Sequence, residues 1–151
     1  MQGGAVLLSE ETGTFTNCTF VNNHSSNWGA GIRAFGSPTS PVITNCIFWG
    51  NTSPNPNQNI NHFPFGASDP APVVSHCLVE GGYPAGTDIV TGDPVFVDAA
   101  GGDFRLQSTS PAIDEADDTV APTHDLDGNA RAAHSGGGSS VADLGCYEYT
   151  P

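Results

Sequence analysis

Three near-copies of one pentad constrain this chain more than any other feature: TNCTF at 16–20, TNCIF at 44–48 and SHCLV at 75–79. Extended, they become FTNCTFVNN (15–23), ITNCIFWGN (43–51) and VSHCLVEGG (74–82), which match column by column. The central cysteines, Cys18, Cys46 and Cys77, are 28 and 31 residues apart. Self-similarity at such a period marks a repeat architecture, in which each unit buries its apolar face only by stacking on its neighbours. Two residues after each cysteine comes Phe20, Phe48 or Val79, and side chains two apart share one face of a strand. Both columns are therefore placed inside, with Phe15, Ile43 and Val74 before them. Asn17, Asn45 and His76 precede the cysteines, where the strand must bend, and Asn tolerates such turns. The expectation is an all-β solenoid with equivalent positions stacked about 4.8 Å apart.

A second echo runs ahead of the first. GGAVLLS (3–9) and GAGIRAF (29–35) both open with small residues and continue with alternating apolar positions. The chain thus opens at the start of a repeat, and further repeats upstream in a longer parent are expected. Gly (19) and Pro (12) make up a fifth of the 151 residues, which favours short strands and tight turns over long helices. Residues 1–91 read as about three coils. SPNPNQNINHFPFGASDPAP (53–72) is expected to be a loop inserted into the third, and 83–92 a connector. From 92 onward, DPVFVD and DFRLQS read as short strands, SPAID as a turn, 115–140 as irregular, including HSGGG (134–138), and ADLGCYEY as a final strand.

Charge separates the two parts. There are 16 acidic residues against three arginines and no lysine, a net charge of −13. That balance argues against nucleic acid and anionic membranes as partners, and no apolar run is long enough for membrane insertion as a helix. Eleven of the acids lie in 93–151. This acidic region, with Phe96, Phe104, Leu106, Ile113, Leu144 and Tyr147 as its apolar residues, is expected to cap the open end of the solenoid.

GGAV…FTNCTFVNN and GAGI…ITNCIFWGN resemble the repeats of right-handed parallel β-helix proteins, in particular pectate-lyase-like chains and polymorphic outer-membrane protein repeats. GDPVFVDAAGGDFRLQSTSPAID (92–114), DLDGNAR (125–131) and VADLGCYEY (141–149) are similar to the C-terminal region of bacterial secreted β-helix proteins with a choice-of-anchor Q domain. This chain departs from that pattern in reading SPAIDEADD, without the usual glycine, and in carrying Cys146 where alanine is usual. The resemblance implies a right-handed parallel β-helix of about three coils with an irregular C-terminal cap. It also implies a secreted or cell-surface bacterial protein.

The candidate sites are few. Stacked Cys18, Cys46 and Cys77 could serve as disulfides or metal ligands, but inward cysteines pack as small hydrophobes and no C-x2-C spacing is present. They are read as structural free thiols, as is Cys146, alongside structural Asn17, Asn45, Phe20 and Phe48. Asp125, Asp127 and Asn129 in DLDGN alternate around a glycine like the start of a calcium loop. The competing reading is an Asx turn with Arg131 pairing an acid. Trp28 and Trp49, taken as one coil apart on one face, are the candidate glycan platform, against the competing reading that they pack under the loop 53–72. A lyase needs a base and cations beside it, yet only Arg33 lies on the repeats; a hydrolase needs two carboxylates in one cleft. Glu10, Glu11, Asp69 and Glu80 do not recur on one face. Asp114, Asp117 and Asp118 cluster outside the repeats, and His124 beside Asp125 is read as a surface histidine. The expected function is a non-catalytic structural or adhesive module with no cofactor unless Ca2+. The alternatives are a carbohydrate-active fragment (a polysaccharide lyase or glycoside hydrolase), a module that binds polysaccharide, or a filament-forming unit that stacks on another copy of itself.

Overall fold

A computed structural model describes residues 4–36, 39–56, 58–64, 71–131 and 141–151. Among them the chain is all-β: eleven strands, no helix, and mostly parallel pairing. The first sheet stacks β1 (Val6–Ser9), β4 (Ile32–Phe35) and β7 (Ile60–Phe63) in parallel, with Val6, Ile32 and Ile60 in one register column. The small residues before β1 and β4 let the layers approach closely. A Cβ added at Gly31 would lie 2.4 Å from the Asn59 carbonyl oxygen and 2.9 Å from the Phe48 ring.

The second sheet is curled. It carries β2 (Thr14–Thr16), β3 (Thr19–Val21), β5 (Val42–Thr44), β6 (Ile47–Trp49), β8 (Val73–Val79) and β9 (Thr87–Val90). β5 pairs both β2 and β8, while β6 pairs both β3 and β8, all parallel. These registers reproduce the pentad alignment: Phe15, Ile43 and Val74 form one column, and Phe20, Phe48 and Val79 another. The bend between the short strands falls on Asn17, Asn45 and His76, whose φ values are 50°, 58° and 47°. The left-handed region penalises most side chains, and Asn is among those that enter it routinely.

Two apolar clusters share the strands of this sheet. The first, between the sheets, holds Phe20, Ile32, Ile43, Cys46, Phe48, Ile60, Val74, Cys77 and Val79. The Phe20 and Phe48 rings stack at 4.7 Å and 10°. The second joins Ile47 and Leu78, on the opposite side of the same strands, to Phe96, Leu106, Ala112, Ala116, Ala142 and Leu144. The acidic region therefore packs along the outer flank of β3, β6 and β8 by apolar contact. The region expected to cap an open end thus makes its apolar contacts along this flank. Consecutive apolar residues such as Ile47-Phe48 leave no solvent face on the strand, so something has to cover the outside.

Three expectations change. The stretch 53–72 is not all loop: it contains β7, a third layer on β4 with Ile60 28 residues after Ile32, although 57 and 65–70 lie outside the described residues. The supposed connector contains β9, which pairs β8 at Ser75↔Thr87 and Cys77↔Ile89. Residues 141–149 form no strand; their amides bond to scattered partners instead, Leu144 to the Ala112 oxygen and Gly145 to the Asn45 oxygen. The two short strands expected after 92 are present as β10 (Phe96–Asp98) and β11 (Asp103–Leu106), which pair antiparallel, and HSGGG lies outside the described residues.

Candidate functional site

The asparagines at the bends do more than turn the chain. Asn45 Nδ2 donates to Asn17 Oδ1 at 3.1 Å, joining neighbouring layers. The same amide donates to the Asp117 carbonyl at 3.0 Å, and Asn45 Oδ1 accepts the Asp117 N–H at 2.8 Å. Asn17 Nδ2 donates to the carbonyls of Asp143 (3.0 Å) and Gly145 (3.3 Å). Both residues are buried. The Asn17–Asn45 ladder thus fastens the acidic region to the parallel layers, a role the pentads alone do not reveal.

The acids of that region act mainly as backbone acceptors. Asp118 Oδ1 takes the Ala142 N–H and Asp143 Oδ1 the Asp114 N–H, both at 2.8 Å. Asp117 Oδ1 accepts from the Thr119 amide and hydroxyl, and these bonds hold its carboxyl below the ordinary range. Arg131, 1% exposed, reaches Glu148 Oε2 (3.0 Å) and the carbonyls of Asp143 (3.1 Å) and Gly145 (2.8 Å). Burial raises the Asp143 carboxyl to about 6. Of the three clustered acids, Asp118 fastens the Ala142 amide, the Asp117 carboxylate is engaged by Thr119 in its own turn, and Asp114 is held through its amide.

DLDGN closes on itself. Asp125 Oδ1 accepts the Asn129 N–H at 2.8 Å, while Oδ2 accepts from Asn129 Nδ2 (3.1 Å) and the Glu148 amide (3.0 Å). Asp127 instead pairs with Arg105 at 2.8 Å. The three residues of the calcium reading are close in sequence, but the Asp125 and Asp127 carboxylates turn toward N–H donors. Among the described residues no cluster of three His, Cys, Asp or Glu side chains could hold a metal ion. The turn is tied to its own backbone as the alternative reading held, and the acid that Arg131 pairs is Glu148. His124, beside it, is exposed and shares a 3.0 Å contact with the Thr123 hydroxyl.

The tryptophans fall in different columns. Trp49 pairs in register with Val21 and packs against the second apolar cluster. Trp28 lies in the turn before β4, where Asn55 Nδ2 bonds to Asn27, so the next layer offers Pro56 at its position. The one-coil spacing expected of them does not hold, because turn and strand both advance 28 residues per layer while the two tryptophans are 21 apart.

The outer face of β4 and β7 instead aligns Phe35 over Phe63, rings 5.8 Å apart at 23°. Phe63 is 49% exposed. On the same face Arg33 is buried, with its guanidinium carbon 5.9 Å from the Trp28 ring centroid and 5.3 Å from that of Phe35. Among the described residues its Nε and Nη1 have no hydrogen-bond partner, and burial lowers its pKa. The signal for this face was the 28-residue step itself, since Arg33 falls on Asn61 and Phe35 on Phe63.

Beside β7 lies a cavity of about 550 Å³ lined by Ile60, His62, Val79, Glu80 and Tyr83 among others. Its origin is topological. After β8 the chain turns through Gly81 and Gly82, both at positive φ, and enters β9 directly. Among the described residues the column β1–β4–β7 gains no fourth strand while the neighbouring sheet does. Glu80 Oε2 is held by the Gly50 amide at 2.8 Å, and burial raises the Tyr83 hydroxyl.

Comparison with protein-family models, with curated proteins and with solved structures finds no match to this chain.

Proposed function

We propose that the chain is part of a right-handed parallel β-helix of about three coils, with the acidic region clamped along its flank. It serves as a non-catalytic structural or adhesive module of a secreted or cell-surface bacterial protein. The observation that carries the reading is the in-register stacking of like side chains on successive layers, Phe20 on Phe48 and Asn17 on Asn45. Such columns make a stiff scaffold whose stability comes from neighbour-to-neighbour contacts. Placement outside the cell follows from the resemblance of the C-terminal motifs, and the proposal stands or falls with them there. Asp118, Asp143 and Glu148 are engaged in holding backbone segments and Arg131, which supports a holding role over a chemical one.

A second reading, a module that binds polysaccharide, is favoured by the Phe35–Phe63 pair and the buried Arg33 on one outer face. Stacked aromatic rings offer apolar surface to sugar faces. One experiment separates the readings: incubation of the purified chain with a panel of acidic and neutral polysaccharides, with and without calcium. New reducing ends or unsaturated products overturn the non-catalytic reading. Retention without cleavage, lost in Phe63→Ser, selects the binding module. Neither cleavage nor retention is the result expected of a scaffold.

A further inference from the structure

The three stacked cysteines are not chemically equivalent. Thr16↔Thr44 and Thr19↔Ile47 bracket Cys18 opposite Cys46, and Thr44↔Ser75 with Ile47↔Leu78 bracket Cys46 opposite Cys77. Parallel neighbours at about 4.8 Å lie inside the Cα separation a disulfide requires. The layers are also bonded through sulfur: the Cys18 amide donates to Cys46 Sγ at 3.4 Å, and the Cys46 amide to Cys77 Sγ at 3.3 Å. All four cysteines are free thiols. Cys46 and Cys77 are wholly buried, whereas Cys18 is half-buried at the first layer.

We propose that Cys18 and Cys46 form an oxidisable pair, which a low-molecular-weight disulfide converts to a disulfide joining the first two layers. Cys18 is where the reagent enters, because it alone of the three is not wholly buried. Its thiolate attacks the reagent disulfide, forming a mixed disulfide and releasing one thiol that carries away the Cys18 proton. Cys46, the register neighbour, then attacks the Cys18 sulfur. The Cys18–Cys46 bond forms, the mixed disulfide breaks, and a second reagent thiol leaves with the Cys46 proton. The reagent gains the two electrons the cysteines lose.

Electrostatics support this order. The neighbouring Cys46 thiol lowers Cys18 to about 7 against the opposing effect of burial. Burial, with the neighbouring thiols, raises Cys46 well above its ordinary value. The thiolate is the nucleophile, so Cys18 initiates and Cys46 follows. Cys146 is also half-buried, but it lies across the strand with its amide on the Thr19 hydroxyl at 3.0 Å.

The test treats the folded chain with oxidised glutathione and reads intact mass and non-reducing peptide maps. The expected product has lost two hydrogens and joins Cys18 to Cys46, with Cys77 still alkylatable after unfolding. Cys46→Ala should stop at one glutathione on Cys18, and Cys18→Ser should leave Cys46 and Cys77 unmodified while folded. A cooperative urea transition for each variant shows that it is folded, and Cys46→Ser substitutes if Cys46→Ala is not. The proposal is overturned if wild type keeps the adduct on Cys18, if Cys18 does not react, or if the bond joins Cys46 to Cys77 or uses Cys146.

Discussion

Replacing Asn45 is the sharpest test of how the acidic region is held. Asn45 is fully buried, sits at φ 58° and makes three side-chain hydrogen bonds, one to Asn17 and two to the Asp117 backbone. Asn45→Ala removes all three and orphans the Asp117 N–H and Asn17 Oδ1. With net bonds near 1 kcal/mol each and orphaned buried groups costing more, the side-chain loss is about 3–4 kcal/mol. Holding Ala in the left-handed region adds about 1 kcal/mol. Asn45→Gly removes the same bonds without that penalty but adds backbone entropy to the unfolded chain. It should therefore lose about 0.5–1 kcal/mol less than Asn45→Ala. Urea unfolding at 25 °C gives both values, and amide exchange reports locally on the Asp117 N–H. A loss under about 1 kcal/mol for Asn45→Ala, or an Asp117 amide that exchanges as slowly as in wild type, would refute the fastening role.

Other outcomes follow from the same network. Arg131→Met leaves Glu148 buried without its cation and should cost about 3–5 kcal/mol by urea, while Arg131→Met/Glu148→Gln should recover part of it; full additivity would contradict the pairing. Asp143, raised to about 6, holds in the folded state a proton that the unfolded chain gives up nearer 4. Its stability contribution is therefore complete below about pH 4 and lost as pH rises through about 6; a wild-type minus Asp143→Asn difference that stays flat across this window would disprove it. Asp127→Asn should change urea stability by under about 1 kcal/mol, because its pair with Arg105 is at the surface. Gly31→Ala drives a Cβ into the Asn59 carbonyl and the Phe48 ring and should cost about 1–3 kcal/mol; a thermal midpoint equal to wild type would show that the layers can separate without penalty.

The repeat was legible because parallel stacking demands it. Residues 28 apart meet across one interlayer spacing, so Phe20 and Phe48, or Asn17 and Asn45, must be alike or complementary. The left-handed bend was legible for the same reason, since few residues tolerate φ near 50°. What stayed hidden was set by contacts between segments far apart in sequence. INHF carries too little alternation to identify β7, and only its register on β4 makes it a strand. ADLGCYEY alternates like a strand, but its amides are met by Ala112 and Asn45 instead of a neighbouring ladder. The motif DLDGN determined a turn, while tertiary structure decided where its carboxylates point, through Arg105 and the Glu148 amide. Local periodicity encodes which residues stack; which face is covered, and by what, depends on free energies gained only when the distant segments meet.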